Sequence, residues 1–219
     1  MRAHYPGDDE PALGFLFYEL EVAMKKQPIG TISVEYDLRY YKCAIEELEE
    51  YLLSGLRDWP ILIAPPPSSP PYVRLSPGSL LISRQRLHPS RLAFDQVKAL
   101  TDLDRRKDDL CGHWKTAWQD RVRLDFEMSL VLWQNYLQEG SDQAAYYHAE
   151  VLQRAILDLL VQEKQPTSTT SVGTLARLDE RLKRTFMAGG FAWQDDLQPA
   201  FPRTRFWYLY GQITAASSL

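Results

Sequence analysis

In the forty residues from 101 to 140, a row of eight side chains, seven of them apolar, recurs at alternating spacings of three and four for most of the segment. That period aligns the side chains along one face of an α-helix, and a glycine at position 140 suits the helix end. The row consists of Leu103, Leu110, Trp114, Ala117, Arg121, Leu124, Met128 and Val131. At ~1.5 Å per residue, such a helix outreaches a small domain unless other helices lie along it or Gly112 bends it. We therefore expect one long central helix over 101–139.

A second set of apolar side chains widens the apolar surface of this segment. The set consists of Trp118, Val122, Phe126, Leu132, Trp133 and Tyr136. A surface this wide indicates a helix packed on several sides, because a coiled coil needs only a narrow apolar seam. Neighbouring segments should therefore shelter the whole helix from solvent.

Six further segments show helical periodicity or the signals of helix ends. They cover residues 9–26, 33–55, 80–87, 90–100, 141–164 and 172–187. Thr31 or Ser33 can cap the second of these, and Ser141 with Asp142 can cap the fifth. Short connections after residues 26 and 140 favour antiparallel neighbours. The chain is thus predicted to be all-α, an irregular bundle of five to seven helices around the long one.

Two segments between the predicted helices have the composition of loops. Seven prolines fall within residues 59–79, and proline removes backbone donors and disfavours helix in the residue before it. We expect an ordered Pro-rich crossover there, with a polyproline II ligand for another protein as the alternative. Residues 165–173, QPTSTTSVG, predict a flexible polar loop. Nothing resembles a long linker, so residues 1–219 are expected to form a single domain.

Charge, hydropathy and cysteine content favour a cytoplasmic protein. The net charge of −4 argues against wholesale wrapping of nucleic acid, because that affinity comes largely from lysine and arginine. No apolar run approaches the ~20 residues of a membrane span, and the first residues lack the order of a secretory signal. Cys43 and Cys111 are too few for a disulfide scaffold and are expected to be small buried side chains.

The densest aromatic cluster lies near the end of the sequence, in a segment 189–219 that we call the strap. Its candidate partner-binding side chains are Trp193, Phe206, Trp207, Tyr208 and Tyr210. Leaving so much aromatic surface in water is costly, so the strap should fold back over the tryptophans of the long helix or pair with another protein chain. The LDERLKR helix followed by tryptophan, proline and aromatic residues resembles bacterial proteins without a known activity, over less than a quarter of the chain.

The residue types used in catalysis and metal binding are present without the spacings that their motifs need. No Glu-x-x-His pair, Gly-x-Ser-x-Gly elbow or Gly-rich phosphate loop occurs. Glu46, Glu47, Glu49 and Glu50 resemble the first half of the motif by which helical nucleotide pyrophosphohydrolases hold magnesium, but the second half is missing. A Mg-dependent nucleotide hydrolase is therefore an alternative, and no cofactor is expected.

A nucleic-acid-binding accessory protein is the other alternative. Arg84, Arg86 and Arg91 form a small basic patch within residues 59–94, where no acid occurs. Arg203 and Arg205 lie beside aromatic residues of the strap, a combination that could hold phosphates while rings stack on bases.

The function that these patterns favour is a non-catalytic adaptor or assembly subunit. Catalytic motifs are missing from the sequence, whereas tyrosine and tryptophan, which are enriched at interface hot spots, are in surplus. The expected partner is another protein, in a hetero-complex or a homodimer.

Overall fold

The structure is a computed structural model that describes residues 32–139, 144–163 and 169–214. Its helices are α1 (Val34–Glu46), α2 (Leu48–Leu53), α3 (Pro77–Arg86), α4 (Phe94–His113), α5 (Lys115–Glu139), α6 (Tyr147–Gln162) and α7 (Thr169–Thr185), and its strands are β1 (Phe186–Ala188) and β2 (Gly211–Ile213). The all-α prediction is confirmed, while the helix predicted over 9–26 lies outside the described residues. Among the described helices, we find none whose length and hydropathy would let it span a bilayer.

The long helix is interrupted, contrary to the prediction of a single rod. It starts earlier, at Phe94, and breaks at Trp114, whose backbone leaves the helical region with φ −100° and ψ 40°. The indole of Trp114 turns toward α2 and donates a hydrogen bond to Glu49 at 3.1 Å. Because only one residue departs from helical geometry, the apolar period continues across the break and does not reveal it.

Helix α5 is the centre of the bundle, as predicted for the long segment. It packs against α2, α3, α4, α6 and α7. The buried face carries the second set of apolar residues, including Trp118, Val122, Phe126 and Trp133. The first row was expected to be buried as well, but its members Leu124, Met128 and Val131 are exposed. The prediction was wrong for these three residues, and one apolar face of α5 is left uncovered by the described residues.

The segment predicted as one helix over 33–55 forms two helices that meet at Glu47. Ser33 caps α1 by accepting the backbone N–H of Tyr36 at 3.1 Å. The Glu47 carboxylate accepts a hydrogen bond from the indole of Trp59 at 2.6 Å. Trp59 also exchanges backbone hydrogen bonds of 2.9 and 2.7 Å with Leu75. The two ends of the Pro-rich crossover are thereby held together beside α1 and α2.

Part of the segment predicted as a polar loop over 165–173 is helical instead. Residues 169–173 belong to α7, and residues 164–168 lie outside the described part of the chain. Within the helix, the Thr174 hydroxyl donates a hydrogen bond to the Thr170 carbonyl one turn back, at 3.0 Å.

The described part of the strap, 189–214, folds back onto the bundle. Antiparallel pairing of β1 with β2 closes it into a loop, with Met187 opposite Gln212. Its main contacts are with α6 and α3, whereas it was predicted to cover the tryptophans of the long helix. The Tyr147 hydroxyl of α6 donates to the Tyr208 carbonyl at 2.6 Å, and the Trp193 indole donates to the His148 carbonyl at 2.9 Å.

Helix α3 crosses α5 and α6 so closely that only glycine fits at position 78. A Cβ at this position would lie 2.5 Å from Ile156 Cγ2 and 2.9 Å from Asp125 Oδ2. We expect Gly78→Ala to lower the free energy of unfolding by about 1–3 kcal/mol, because the added methyl forces these helices apart. Chemical denaturation measures the effect. Gly173→Ala, in an open position of α7, is the control and should stabilise by roughly 0.5–1 kcal/mol; a loss of equal size at both positions would contradict the packing argument.

Candidate partner-binding cleft

A cleft of about 360 Å³ opens between the Pro-rich crossover and helices α1, α3, α5 and α6. Its apolar lining includes Tyr36, Tyr40, Ile82, Met128, Leu132, Leu152 and Ile156. Its polar lining includes Arg57, Asp58, Arg74, Arg86, Asp125, Ser129 and Gln153. A concave, mostly apolar site with a few polar groups is the usual form of a binding site.

A buried ion pair lies at the base of this cleft. Arg86 Nη2 of α3 lies 3.1 Å from Asp37 Oδ1 of α1, and the two side chains are 9% and 0% exposed. Burial raises the pKa of Asp37 to about 6, although the Arg86 charge opposes this shift. The Ser83 hydroxyl donates to the same carboxylate at 3.3 Å. The two helices are thus joined by a charge pair that is almost entirely buried.

A second carboxylate in the cleft wall meets the beginning of α3. Asp125 of α5 accepts the backbone N–H of Gly78 at 2.6 Å. This places a negative charge at the positive end of a ten-residue helix, where such charges are stabilising. Burial nevertheless raises the pKa of Asp125. The carboxylate therefore links the beginning of α3 to α5.

Three tyrosines form the wall on the side of the crossover. The ring centroids of Tyr36 and Tyr72 are 4.5 Å apart, and those of Tyr40 and Tyr72 are 5.7 Å apart. The Tyr40 hydroxyl donates to Ser79 Oγ at 2.7 Å, and the Tyr36 hydroxyl donates to the Pro71 carbonyl at 3.1 Å. Burial raises the pKa of Tyr36 to about 12, so this wall is neutral.

Two arginines share one carboxylate at the mouth. Arg57 and Arg74 both pair with Asp58, which is about three-quarters buried. Since both guanidinium groups are more than half exposed, a positive charge remains at the entrance.

An exposed apolar row on α5 continues outward from the cleft. We call it the α5 stripe; it consists of Leu124, Met128 and Val131, which are 37%, 40% and 52% exposed. The spacing of four and three residues aligns them on one face of the helix. Met128 belongs both to the stripe and to the lining of the cleft, so the two surfaces are continuous.

The strap residues predicted to bind a partner are mostly enclosed. Phe206, Tyr208 and Trp193 are buried, and the Arg154 guanidinium lies 4.5 Å from the centre of the Tyr208 ring. In the folded protein these three side chains have too little free surface to contact a partner. Trp207 and Tyr210 are half-buried and retain some accessible surface. The predicted set is therefore reduced to these two.

The predicted basic patch is neutralised by carboxylates that the fold brings to it. Arg84 makes two hydrogen bonds to Asp104, at 2.6 and 2.7 Å. Arg86 pairs with Asp37, and the buried side chain of Arg91 pairs with Asp196 at 2.9 Å. The patch looked free in sequence because its acids come from distant segments.

The two predicted anion-binding arginines of the strap differ. Arg205 is paired with Asp158 of α6 at 2.8 Å and also lies over the Phe206 ring. Arg203 is exposed and lies 5.7 Å from the centre of the Tyr210 ring. Of the five arginines predicted to hold phosphate, Arg203 alone has no carboxylate among the described residues within 4.0 Å.

The acidic cluster 46–50 is not assembled into a metal site. Glu47 accepts the indole N–H of Trp59, whereas Glu49 accepts that of Trp114. Glu46 lies 4.0 Å from Lys42 on the outer face of α1. Within the described ranges, no group of three or more histidine, cysteine, aspartate or glutamate side chains converges as a metal site would require.

Neither buried acid was predicted, although the sequence carries a signal for each. Asp37 lies four residues before Tyr41 and seven before Ala44, within an apolar row of α1. Asp125 interrupts the buried row of α5 between Val122 and Ser129 in the same way. An acid at a position that periodicity assigns to the core must find a partner there, because an unpaired buried charge is too costly.

Comparisons with models of protein families, with curated proteins and with solved structures find no match for the chain.

Proposed function

We propose that the protein is a non-catalytic adaptor that holds an amphipathic helix of a partner protein on the α5 stripe and in the adjoining cleft. The observation that carries this proposal is the exposure of Leu124, Met128 and Val131. Their spacing is the one by which buried helix faces are recognised, yet the described residues leave them in contact with solvent. A partner helix would cover the apolar face that the sequence pattern predicts to be buried.

The dimensions of the site favour a helix over a second copy of the chain. The stripe extends over eight residues, or about 10 Å of helix axis, which is two turns. A stable homodimer buries roughly 1,200–2,000 Å², far more than three half-exposed side chains supply. A helix laid along α5 instead adds contacts in the cleft, where one anchoring apolar side chain can reach Met128, Leu132 and Ile156.

The half-buried aromatic residues of the strap provide a second, smaller surface. Trp207 packs edge-to-face on Phe186 at 5.2 Å, and Tyr210 lies 5.0 Å from Phe191, so both rings are held rigid. Rigid aromatic side chains lose little entropy on binding. We propose that Trp207 and Tyr210 contribute to the rim of the partner interface.

We propose that the adaptor works in the cytoplasm. Cys43 and Cys111 are both free thiols, and burial raises the pKa of each to about 12. Thiols that stay protonated react slowly with oxidants and with other thiols. Both side chains therefore suit a reducing compartment in which they serve as packing groups.

Site-specific photocrosslinking in the source cells tests the adaptor proposal. A photoreactive phenylalanine analogue replaces Val131 on the stripe in one variant and Leu62, which is 85% exposed in the crossover, in another. We expect one discrete heterologous adduct from position 131 and none from position 62. Mass spectrometry should map the adduct to a segment of the partner with apolar residues at helical spacing.

Met128→Asp, introduced beside the crosslinker, should abolish the adduct, because a charge in the stripe removes its apolar character without altering the buried face. An adduct of twice the chain mass would instead identify a second copy. A crosslink within the chain to residues 1–31 would identify a self-contact. Either of these results, or the absence of any adduct, would overturn the adaptor proposal.

A further inference from the structure

The outer face of α7 carries a row of arginines that the fold does not pair. Arg177, Arg181 and Arg184 are exposed and follow one another at spacings of four and three residues. We call this row the α7 ridge. Together with Glu180 it lines a shallow surface hollow. Because each step is about one helical turn, the three guanidinium groups lie along roughly 10 Å of helix axis.

The lack of ion pairs on the ridge contrasts with ten other arginines, although Arg106, Arg121 and Arg203 also have no described carboxylate within 4.0 Å. Within the described ranges, a carboxylate lies within 4.0 Å of Arg39, Arg57, Arg74, Arg84, Arg86, Arg91, Arg105, Arg123, Arg154 and Arg205. No described carboxylate comes within that distance of Arg177, Arg181 or Arg184. The contact made by Arg177 is a hydrogen bond to the Thr174 hydroxyl at 2.9 Å.

The one acid in the hollow offsets this charge only in part, through its electrostatic interaction with Arg184. Glu180 pairs with Lys183 at 2.7 Å, and this contact lowers the pKa of Glu180. Three positive charges are thus left close together on one helix. Like charges three or four residues apart repel on a helix, although Arg184 lies in the last turn, where a positive charge is favourable. The ridge therefore presents exposed positive charge that an acidic ligand can meet.

We infer that the α7 ridge binds an acidic helical segment of a partner protein, whose carboxylates meet the three guanidinium groups. Carboxylates at the same spacing of four and three residues on a partner helix would match the ridge one to one. Arginine suits this role because its planar fork can hold a carboxylate with two parallel hydrogen bonds. This inference rests on the proposed adaptor function. It extends that function by specifying that the bound segment of the partner is acidic.

A nucleic-acid backbone is the less favoured occupant. Three phosphate contacts give only a shallow salt dependence and weak affinity, whereas strand-binding grooves add more basic residues and aromatic stacking. The five lining residues of the hollow include no aromatic side chain. Exposed charge pairs of this kind direct association and orientation more than they add affinity, which suits the rim of a protein interface.

Fluorescence anisotropy with the full-length protein tests the ridge. The probe is a labelled, alanine-rich 20-residue helical peptide with glutamates at positions i, i+4 and i+7; its matched control carries glutamines there. We expect the wild type to bind the glutamate peptide at least about tenfold more tightly than the glutamine peptide at low salt, as expected for three exposed charge pairs. Raising the ionic strength should remove the difference.

The triple variant Arg177→Gln, Arg181→Gln, Arg184→Gln should lose this preference. A charge-matched variant, Lys98→Gln, Arg106→Gln, Lys115→Gln, changes three exposed cations elsewhere and should keep it. Equal losses in the two variants would show that net charge alone attracts the peptide and would overturn the inference. Tighter, ridge-dependent binding of a 20-nucleotide duplex would overturn it in favour of nucleic acid.

The stripe variant Met128→Asp separates this test from that of the adaptor function. It should bind the glutamate peptide as the wild type does, because the probe contacts α7 alone. A ridge that fails this test leaves the crosslink at position 131 unaffected. Conversely, failure of the crosslink leaves ridge binding in place as an isolated property of α7.

Discussion

Replacing Arg86 with methionine should make the protein about 3–5 kcal/mol less stable at pH 7, as measured by chemical denaturation. The substitution keeps much of the side-chain volume but leaves the Asp37 carboxylate buried beside α3 without its counter-charge. Since single domains are stable by only about 5–15 kcal/mol, this one change removes a large share of the margin. Arg39→Met is the control, because Arg39 pairs with Glu35 on the exposed face of the same α1, and it should change stability by less than about 0.5 kcal/mol.

The pH dependence of the Arg86→Met defect identifies its cause. Asp37 has a pKa of about 6 in the folded protein, above the value of ~3.9 expected when unfolded. The folded state therefore binds the proton more tightly, and this group's contribution to stability falls as pH rises from about 4 to about 6. Without Arg86 the folded pKa rises further, so the fall continues above pH 6. The gap between variant and wild type should accordingly narrow at pH 5.

The double variant Asp37→Asn, Arg86→Met provides the converse check. Removing both charges leaves no unpaired carboxylate at this site, so at pH 7 the double variant should be more stable than Arg86→Met alone by about 2 kcal/mol or more. If Arg86→Met were no less stable than Arg39→Met, or its defect did not change between pH 5 and 7, the buried ion pair would not join α1 and α3 as described.

Phe206→Ala should lower the free energy of unfolding by about 3–5 kcal/mol, the range found when a buried phenylalanine is truncated. The Phe206 ring is fully buried, and its centroid lies 5.0 Å from that of Phe201 and 6.2 Å from that of Tyr208. The Arg205 guanidinium covers one face of the ring at 4.5 Å. Truncation would therefore open a cavity within the strap, beneath the ion pair between Arg205 and Asp158.

Met187→Ala is the matched control for this prediction. Met187 lies in β1 at the base of the strap, and half of its surface is exposed. Its truncation should cost less than about 1 kcal/mol, since much of the side chain is already in water. A strap that served as an exposed binding arm would give the opposite ranking or no stability change at either position.

Helical periodicity in the sequence was enough to predict the class of fold and the central position of α5. It was less informative about which face of α5 is buried, because apolar residues occupy most of its circumference. Leu124 and Trp118 both belong to rows of helical period, yet one is exposed and the other is buried. Which of these rows is buried depends on the positions of α6 and α3. The periodicity within α5 gives no information about those positions.

The candidate site was harder to predict for a related reason. Arg84, Arg86 and Arg91 were expected to form a free basic patch because the neighbouring sequence contains no acid. Their partners come from α4, α1 and the strap. Conversely, the ridge at Arg177, Arg181 and Arg184 lies among acids in sequence. These acids have other partners, because Asp179 pairs with the buried Arg154 and Glu180 pairs with Lys183. Net charge along a chain is a poor guide to free charge on a surface.

The closed strap has a consequence for how the protein is made. Phe206, Tyr208 and Ile213 complete the core near Tyr147, so helices formed early in translation lack their final packing partners until these residues emerge. At roughly 5–20 residues per second, the interval between Tyr147 and Phe206 lasts roughly 3 to 12 s. During that time a nascent chain on the ribosome would expose Tyr147 and the other side chains that the strap later covers.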